Sequence, residues 1–378
     1  MNFLHGLRVG YVPSSSSLAA PGDRRRFCSY AAKRKLRFEI ARPQEAYDLV
    51  VLTQVADISL WSRYPRGHGK VIFDFVDSYL AIPAYDPKSF FRGIAKFVVR
   101  QNQRLLLNYT QGLESMCRRA DAVICTTESQ KEQILPLCPN VSIILDFHGS
   151  VVRAPKEDYA ADDVFHFVWE GLPCSLRHLL EIKSALQELK KTRPFVLHAI
   201  TDLEYGRFLG GRLIKRSTLD DARKIWPQMC LYAWNERTFA GIARNCDLAL
   251  LPIPLEDPLS AGKPENRLLL FWRMGIPVLA SSTVAYLGAM HDSGLSMCCT
   301  TQDQWLEALQ YYTSTEHARK QAGERGKAFV DQCHSEENTL ALWDRLLQSV
   351  LSNSKANTLS IPEDFGNDRR PSGKAHAY

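Results

Sequence analysis

The chain has 378 residues, of which 45% are hydrophobic and 23% charged, and its formal net charge is +6 at pH 7. This length exceeds what one hydrophobic core usually serves, so we expect two domains, and the composition excludes fibrous, collagen-like and largely disordered proteins. The mild positive charge permits contact with phosphate-rich ligands or an anionic membrane, but it does not indicate nucleic-acid binding, which we do not expect.

Apolar runs and cysteines set further limits. No stretch approaches the roughly 20 apolar residues that a transmembrane helix needs, and the first residues lack the apolar core of a secretory signal. None of the ten cysteines falls in a CxxC pair, and many lie in apolar runs, as is typical of small buried side chains rather than metal ligands. We therefore expect a cytoplasmic protein with no bound metal.

The first half alternates short apolar runs with helical stretches. Strands are predicted at 7–13, 47–53, 70–77, 121–127 and 141–147, and helices at 23–35, 89–119 and 128–135. Nearly continuous apolar runs are what strands buried on both faces of a parallel sheet require. The alternation predicts an α/β, doubly wound, Rossmann-like domain, which we place at residues 1–150.

The same pattern starts again after a linker-like segment at 149–163. Strands are predicted at 164–171, 193–202, 230–234, 247–253 and 276–281, and helices at 176–191, 236–244, 265–274, 304–312, 316–333 and 336–351. We assign 151–334 to a second Rossmann-like domain, 335–351 to a C-terminal helix and 352–378 to a disordered tail. Two such domains facing each other place a ligand cleft at the carboxyl ends of both sheets.

The sharpest functional signal follows the predicted strand at 247–253. There a loop leads into the first turn of a helix, with the residues Gly262, Lys263, Pro264, Glu265, Asn266 and Arg267. The first backbone N–H groups of a helix are unpaired and its dipole is positive there, so this end can hold a phosphate. Lys263 and Arg267 add cationic donors beside it. The alternative is that both are ordinary solvated surface residues.

The run NRLLLFWRMGIPVLAS resembles the donor-domain signature of GT-B glycosyltransferases, especially the large retaining family four. The family has a motif of the Pro-Asn-Lys-Leu kind, a helix and then Gly-x-Pro-Val-x-Ala-Ser; the matching residues are Asn266, Arg267, Leu268, Gly275, Pro277, Val278, Ala280 and Ser281. VWEG at 168–171 is similar to the segment that opens the family's donor domain. The resemblance covers about residues 7–350 and implies an N-terminal acceptor domain and a C-terminal donor domain.

The resemblance also implies an activity. A sugar would pass from a nucleotide-diphosphate donor to a hydroxyl of a glycan, a lipid-linked intermediate or a small molecule, with retention of configuration and with neither a metal nor a separate cofactor. Lys263 and Arg267 would stabilise the charge that builds on the leaving diphosphate. Such an enzyme would serve glycan, polysaccharide or glycolipid synthesis.

One position departs from the family pattern. Many members carry a Glu five residues before the Gly of Gly-x-Pro-Val, which holds the donor ribose, and this chain has Leu270 there. The partner Glu of the usual spacing falls at Gly262. Either another residue such as Glu265 holds the ribose, or the chain is a catalytically inactive GT-B-like scaffold or binding protein. A nucleotide-binding oxidoreductase would need a GxGxxG after the first strand, which is missing.

Further donor-side candidates follow other predicted strands of the second half: Glu170, Gly171, Thr201, Trp234 and Asn235. A glycine loop after a strand can face the diphosphate, and Trp234 could contact the nucleotide base. A tryptophan packed in the core is the alternative.

On the acceptor side, Asp74 and Asp77 lie at the end of a buried strand, where a carboxylate could orient an acceptor hydroxyl or act as a base. The alternative is that one caps a helix or pairs with an arginine. Gly22 allows close backbone approach to a ligand. Asp23 is a candidate for the same site and for a helix N-cap.

The segment 88–107 has a basic, amphipathic pattern. Cations recur every four residues and apolar side chains fill another face: Lys88, Arg92, Lys96, Arg100 and Arg104, against Phe90, Phe91, Ile94, Phe97 and Val98. Such a helix can lie on an anionic membrane, which would suit a lipid-linked acceptor. The alternative is a helix that packs its apolar face on the core.

Overall fold

The computed structural model describes residues 4, 6–81, 87–152, 154–207 and 214–356. Its first half holds a six-stranded, fully parallel sheet in the order β2-β1-β3-β4-β5-β6. The strands are β1 (Val9–Val12), β2 (Glu39–Ile40), β3 (Leu49–Thr53), β4 (Lys70–Asp74), β5 (Ala122–Cys125) and β6 (Val141–Ile143). All predicted strands of this half are confirmed in shortened form, whereas β2 was missed because it is two exposed residues long.

The helices around this sheet are α1 (Pro21–Arg24), α2 (Phe27–Arg34), α3 (Ile58–Trp61), α4 (Pro87–Val98), α5 (Tyr109–Arg119) and α6 (Glu128–Ile134). The helix predicted at 23–35 is interrupted at Arg26, whose backbone (φ −128°, ψ −121°) is not helical. The helix predicted at 89–119 is likewise two helices, because Arg100 takes a left-handed conformation with φ 58° after α4.

The second half repeats the plan with a parallel sheet in the order β11-β8-β7-β12-β13-β14. Its strands are β7 (Phe165–Glu170), β8 (Phe195–Thr201), β11 (Cys230–Ala233), β12 (Leu248–Leu251), β13 (Val278–Ser281) and β14 (Cys298–Cys299); an antiparallel hairpin of β9 (Glu204–Arg207) and β10 (Ile214–Ser217) stands apart. The strand order reverses between β7 and β12, and ligands of doubly wound sheets bind at such a switch point.

The helices of the second half begin with a 3-10 segment at Pro173–Ile182, which corrects the single helix predicted at 176–191. They continue as α7 (Lys183–Leu189), α8 (Thr218–Ile225), α9 (Phe239–Arg244), α10 (Pro258–Ala261), α11 (Asn266–Arg273), α12 (Val284–Asp292), α13 (Gln302–Ser314), α14 (Glu316–Cys333) and α15 (Glu336–Ala356). The ten cysteines form no disulfide.

The last helix, α15, returns to the first half. Trp343 stacks on Tyr30 with 5.4 Å between ring centroids, and Tyr30 donates a hydrogen bond to Asp344 at 2.8 Å. Trp343 is fully buried in a core cluster with residues of β1 and β3. The helix predicted at 335–351 therefore ties the end of the described chain to the first sheet. Residues 357–378, most of the predicted tail, lie outside the described residues.

In the segment predicted to touch a membrane, two cations face the protein and several apolar side chains face outward. Lys96 on α4 donates a 2.6 Å hydrogen bond to the Tyr109 hydroxyl, and Arg92 lies 4.3 Å over the Tyr79 ring, so both cations turn toward the protein. The apolar side chains are the exposed ones; we call Phe91, Phe97, Val98, Leu105 and Leu107, which are 41 to 66% exposed, the α4 surface. Arg92 and Lys96 therefore do not lie on the solvated charged face that the alternative, a helix packed on the core through its apolar face, implies. The side chains of Lys88 and Phe90 lie outside the described residues.

Candidate functional site

A cleft of about 420 Å³ lies between the two halves, where the carboxyl ends of both sheets face each other. The loop after β1 and that after β4 supply one wall; segments after β7, β8 and β11, with the start of α11, supply the other. The lining residues are Ala19, Pro21, Arg24, Arg25, Val76, Asp77, Glu170, Gly171, Leu172, Ser175, Asp202, Trp234, Lys263, Pro264, Asn266 and Arg267. A larger cavity of about 750 Å³ lies at the amino ends of β1, β3 and β4, away from the edge where parallel sheets bind ligands.

The start of α11 places two cations in the cleft. Lys263 and Arg267 both line it. Arg267 Nη1 donates a 3.0 Å hydrogen bond to the Glu170 carbonyl, which fixes the guanidinium beside the end of β7. Burial, and then the charge of Arg267, lowers the pKa of Lys263. Within the described residues no side chain caps the N-terminus of α11, so its first N–H groups remain available to an anion.

The neighbouring residues of this loop have other roles. The Asn266 side chain accepts a hydrogen bond from the Asp146 backbone N–H at 3.1 Å, and the Gly262 carbonyl accepts one from the Ser78 hydroxyl at 2.9 Å. Both contacts join the two halves across the floor of the cleft.

Glu265 is the N-cap residue of α11 and is not among the residues that line the cleft. Burial raises the pKa of its carboxyl to about 7. Leu270 is completely buried in the core of the second half. Neither side chain is therefore among those that line the cleft.

The loop after β7 lies where the prediction placed it. Glu170 and Gly171 line the cleft, and a Cβ added at Gly171 would come within 2.8 Å of the Trp169 ring and 3.2 Å of Arg267 Nη1. Only a glycine lets the backbone pass this close to both side chains. Because Gly171 has no side chain, Arg267 can lie beside the end of β7.

Of the residues predicted at the ends of β8 and β11, only one lines the cleft. Trp234 lines the cleft, whereas the Asn235 side chain is exposed and accepts a hydrogen bond from the Arg237 backbone N–H at 2.8 Å. Thr201 is completely buried within β8, and the next residue, Asp202, reaches the cleft instead. Thr201 and Asn235 are therefore wrong as cleft residues, because the first is buried inside the sheet and the second is held by its own loop.

Of the two aspartates on the acceptor side, Asp77 alone lines the cleft. Its Oδ2 accepts a 2.8 Å hydrogen bond from the Gln54 side chain, and its backbone N–H donates to Gln54 Oε1 at 2.9 Å. Asp74 is 2% exposed and forms two hydrogen bonds with Arg26. The prediction for Asp74 is wrong, since its carboxylate neutralises a buried arginine; the alternative reading, a pairing with arginine, is the correct one.

Asp23 is also structural. It is completely buried and accepts hydrogen bonds from the Tyr11 hydroxyl at 2.7 Å and from the backbone N–H groups of Ser14 and Ser15 at 2.6 and 2.9 Å. It lies inside α1 rather than before it, so neither predicted role, ligand contact or N-cap, is correct. Gly22 packs against Ser14 and does not line the cleft.

Several residues in or near the site were missed as candidates, among them Arg25, Gln54 and His178. Gln54 holds Asp77, and Arg25 lines the cleft with its Nη2 3.9 Å from Glu170 Oε1. His178 is 3% exposed, and burial together with Arg267 and Lys263 lowers the pKa of its imidazole to about 4. The basic run at 24–26 was a usable signal for Arg25. Nothing local distinguishes Gln54 or His178, because only tertiary packing brings Gln54 to Asp77 and His178 near the charges of Arg267 and Lys263.

Two classes of site are not found in the described part of the chain. No three or more His, Cys, Asp or Glu side chains there gather in a way that could hold a metal ion. No helix there has the length and apolar character to cross a bilayer.

No protein-family model matches the chain, and no curated protein matches it by sequence. Solved structures do match. Sucrose-phosphate synthase from Thermosynechococcus elongatus aligns with a TM-score of 0.57 at 13% identity, over 86% of this chain and 77% of that one. A glycosyltransferase from Rickettsia africae ESF-5 gives 0.56 at 11% identity, over 91% and 98%. Anabaena HepE in complex with UDP gives 0.54 at 10% identity, over 91% and 100%.

These neighbours are GT-B glycosyltransferases. The likeness extends over most of the chain and includes both sheets, so the chain has the GT-B architecture. The fold class predicted from the sequence, two Rossmann-like domains facing across a cleft, is confirmed.

Proposed function

We propose that this protein is a glycosyltransferase that moves a sugar from a nucleotide-diphosphate sugar to a hydroxyl acceptor in the synthesis of a glycan, a polysaccharide or a glycolipid. One observation carries the proposal: Lys263 and Arg267, at the uncapped start of α11, line a cleft between the carboxyl ends of two parallel sheets. HepE, which has the same fold, was solved with UDP, and the diphosphate is the group that such a cationic helix start would hold.

The cations act on the leaving group. When the bond between the sugar and the diphosphate breaks, negative charge builds on the diphosphate, and preorganised cations and N–H groups stabilise it. Arg267 is held in place by the Glu170 carbonyl, so little reorganisation is needed when the charge appears. This chemistry needs no metal ion. Retention of configuration is what the family resemblance leads us to expect.

Asp77 is the acceptor-side residue that we propose for the reaction. Gln54 engages both its carboxylate and its backbone N–H, so its orientation at the cleft is fixed. A carboxylate in that place can accept a hydrogen bond from the attacking hydroxyl and orient it toward the sugar. Trp234, on the opposite wall, is our candidate for contact with the nucleotide base.

We further propose that the protein is cytoplasmic and that its α4 surface rests on an anionic membrane. Exposed Phe97 and Val98 would enter the interface, and Arg100 and Arg104, which are exposed beside them, would face anionic headgroups. Arg92 stacks on Tyr79, and Tyr79 follows the cleft residue Asp77 by two positions. A lipid-linked acceptor could therefore reach the cleft from this surface.

A second candidate function, a GT-B-like scaffold without activity, is favoured by Leu270. A leucine that is completely buried in the core cannot hold a ribose. A scaffold of this kind would neither bind nor turn over a nucleotide sugar.

Binding and turnover of UDP-, GDP-, ADP- and dTDP-sugars separate the two candidates. We expect at least one donor to raise the melting temperature and to be consumed, and we expect Lys263→Ala to weaken its binding at least about tenfold, or roughly 1.4 kcal/mol. Lys191→Ala, at a lysine whose side chain is 68% exposed on the same half, is the matched control and should leave binding unchanged. If no donor binds, the scaffold function is correct.

A further inference from the structure

Three consecutive arginines, Arg24, Arg25 and Arg26, have contrasting surroundings. Arg26 is 1% exposed, and its guanidinium donates to Asp74, to Asp146 and to a backbone carbonyl at 2.7 to 3.0 Å. A buried guanidinium needs such acceptors because it has five donors and no acceptor of its own. Its two neighbours line the cleft, and within the described part of the chain their guanidinium groups have no comparable hydrogen-bond partners.

Arg24 and Arg25 lie together against one aromatic ring. Their guanidinium carbons are 4.1 and 5.3 Å from the centroid of Trp234, which belongs to the opposite half. Their side chains are 20% and 12% exposed, so they are largely removed from bulk water but still border the cavity.

Their charged partners are distant. The nearest carboxylate oxygens are those of Glu236 for Arg24 and Glu170 for Arg25, each at 3.9 Å, which is beyond hydrogen-bond distance. Among the described residues, the buried Nε of Arg25 has no hydrogen-bond partner. A buried donor left unsatisfied costs free energy, and a ligand oxygen that accepted its hydrogen bond would remove that cost.

The two guanidinium groups also repel each other. Burial and the neighbouring charge of Arg25 lower the pKa of Arg24. An anion with several oxygens would accept hydrogen bonds from both groups and offset the repulsion, and guanidinium forks match phosphate in this way.

We infer that Arg24 and Arg25 form a second anion-binding subsite, on the acceptor wall of the cleft, and that the acceptor carries a phosphate group close to the hydroxyl that receives the sugar. The claim that the phosphate belongs to the acceptor rests on the proposed function. The claim that Arg24 and Arg25 bind an anion does not. Arg24 and Arg25 come from the first half, whereas the cations assigned to the donor diphosphate, Lys263 and Arg267, come from the second. Two separate anions would thus be held on opposite walls.

Calorimetric titration tests the subsite with inorganic phosphate as the acceptor-side probe and UDP as the donor-side probe. We expect phosphate to bind to the UDP-saturated protein, and the double variant Arg24→Gln/Arg25→Gln to weaken that binding at least tenfold while changing the UDP affinity less than threefold. Arg267→Gln should show the opposite pattern. Arg42→Gln, at an arginine whose side chain is 76% exposed on the first half, is the control.

Two results would overturn the inference. In one, the UDP-saturated protein binds no phosphate; in the other, the double variant weakens UDP as much as Arg267→Gln does, so that both arginines serve the donor diphosphate. If UDP does not bind at all but phosphate still binds through Arg24 and Arg25, the donor function fails and the anion subsite stands. Should the double variant unfold, Arg24→Lys/Arg25→Lys keeps the charges, removes the guanidinium forks and should weaken phosphate binding alone.

Discussion

Arg26 and Asp74 meet through two hydrogen bonds of 2.7 Å, and neither side chain is more than 2% exposed. The pair joins the segment between α1 and α2 to the end of β4, directly behind the cleft. Asp77, three residues farther on, is held at the cleft by Gln54 instead. One short segment therefore supplies a structural carboxylate and a candidate functional one.

Asp74→Ala should destabilise the protein by about 3 kcal/mol, because it removes two buried hydrogen bonds of Arg26 and leaves Asp146 as its remaining carboxylate partner. Asp77→Ala should cost about 1 kcal/mol or less, since this residue borders the cleft, but it should reduce glycosyl transfer at least tenfold. Urea denaturation and donor turnover measure the two effects. Equal stability losses in both variants would contradict a structural role for Asp74 and a functional role for Asp77.

The buried carboxyl of Glu265 should make the stability of the protein fall as the pH rises. Burial raises its pKa in the folded protein to about 7 from its ordinary value of about 4.5, so the protonated form is favoured by folding. The associated stability is complete below about pH 4.5 and is lost as the pH rises through 7. Glu265→Gln should therefore stabilise the protein at pH 8.5, by on the order of 1–3 kcal/mol, and have little effect at pH 5.

Chemical denaturation of both proteins at these two pH values is the measurement for Glu265. A stability difference that is the same at pH 5 and at pH 8.5 would mean that this carboxyl does not titrate in the expected range.

Gly171→Ala tests the position of Arg267. The new methyl group would lie 2.8 Å from the ring of Trp169, which is completely buried and cannot move away, and 3.2 Å from Arg267 Nη1. We expect Arg267 to be displaced, donor affinity to fall about tenfold and stability to fall by about 1–3 kcal/mol.

The matched control for this glycine is Gly241→Ala in α9, where an added Cβ meets nothing within 4 Å. It should leave donor binding unchanged and stabilise the helix by up to about 1 kcal/mol. Unchanged donor affinity in Gly171→Ala would argue against the arginine as a diphosphate ligand.

The α4 surface predicts binding to lipid vesicles. The protein should sediment with vesicles that contain phosphatidylglycerol more than with pure phosphatidylcholine, and Phe97→Ser/Val98→Ser should lower that binding at least tenfold. Val284→Ser, at a valine that is 79% exposed on α12 of the other half, is the control. Equal binding of the Phe97 and Val98 variant and the wild type would exclude this surface as the contact.

Sequence patterns alone predicted most strands of both sheets. Strands β3, β4, β5 and β12 are continuous apolar runs that are almost wholly buried, and this property is local enough to be read residue by residue. A helix beginning close to Lys263 was predicted from the proline that follows the loop, and α11 begins two residues after Pro264, at Asn266. The cleft followed from general rules for parallel sheets.

Side-chain direction was decided by tertiary structure. Asp74 and Asp77 look alike in the sequence, yet one meets Arg26 from a distant segment and the other meets Gln54. The basic pattern of α4 suggested a cationic face for a membrane or for solvent, but Arg92 and Lys96 pack on the rings of Tyr79 and Tyr109. The spacing of apolar residues predicts which segments form strands and helices, because whether a side chain is buried depends largely on its own hydrophobicity. The partner of a charged group depends on residues far away in the chain, and only the packed fold brings them together.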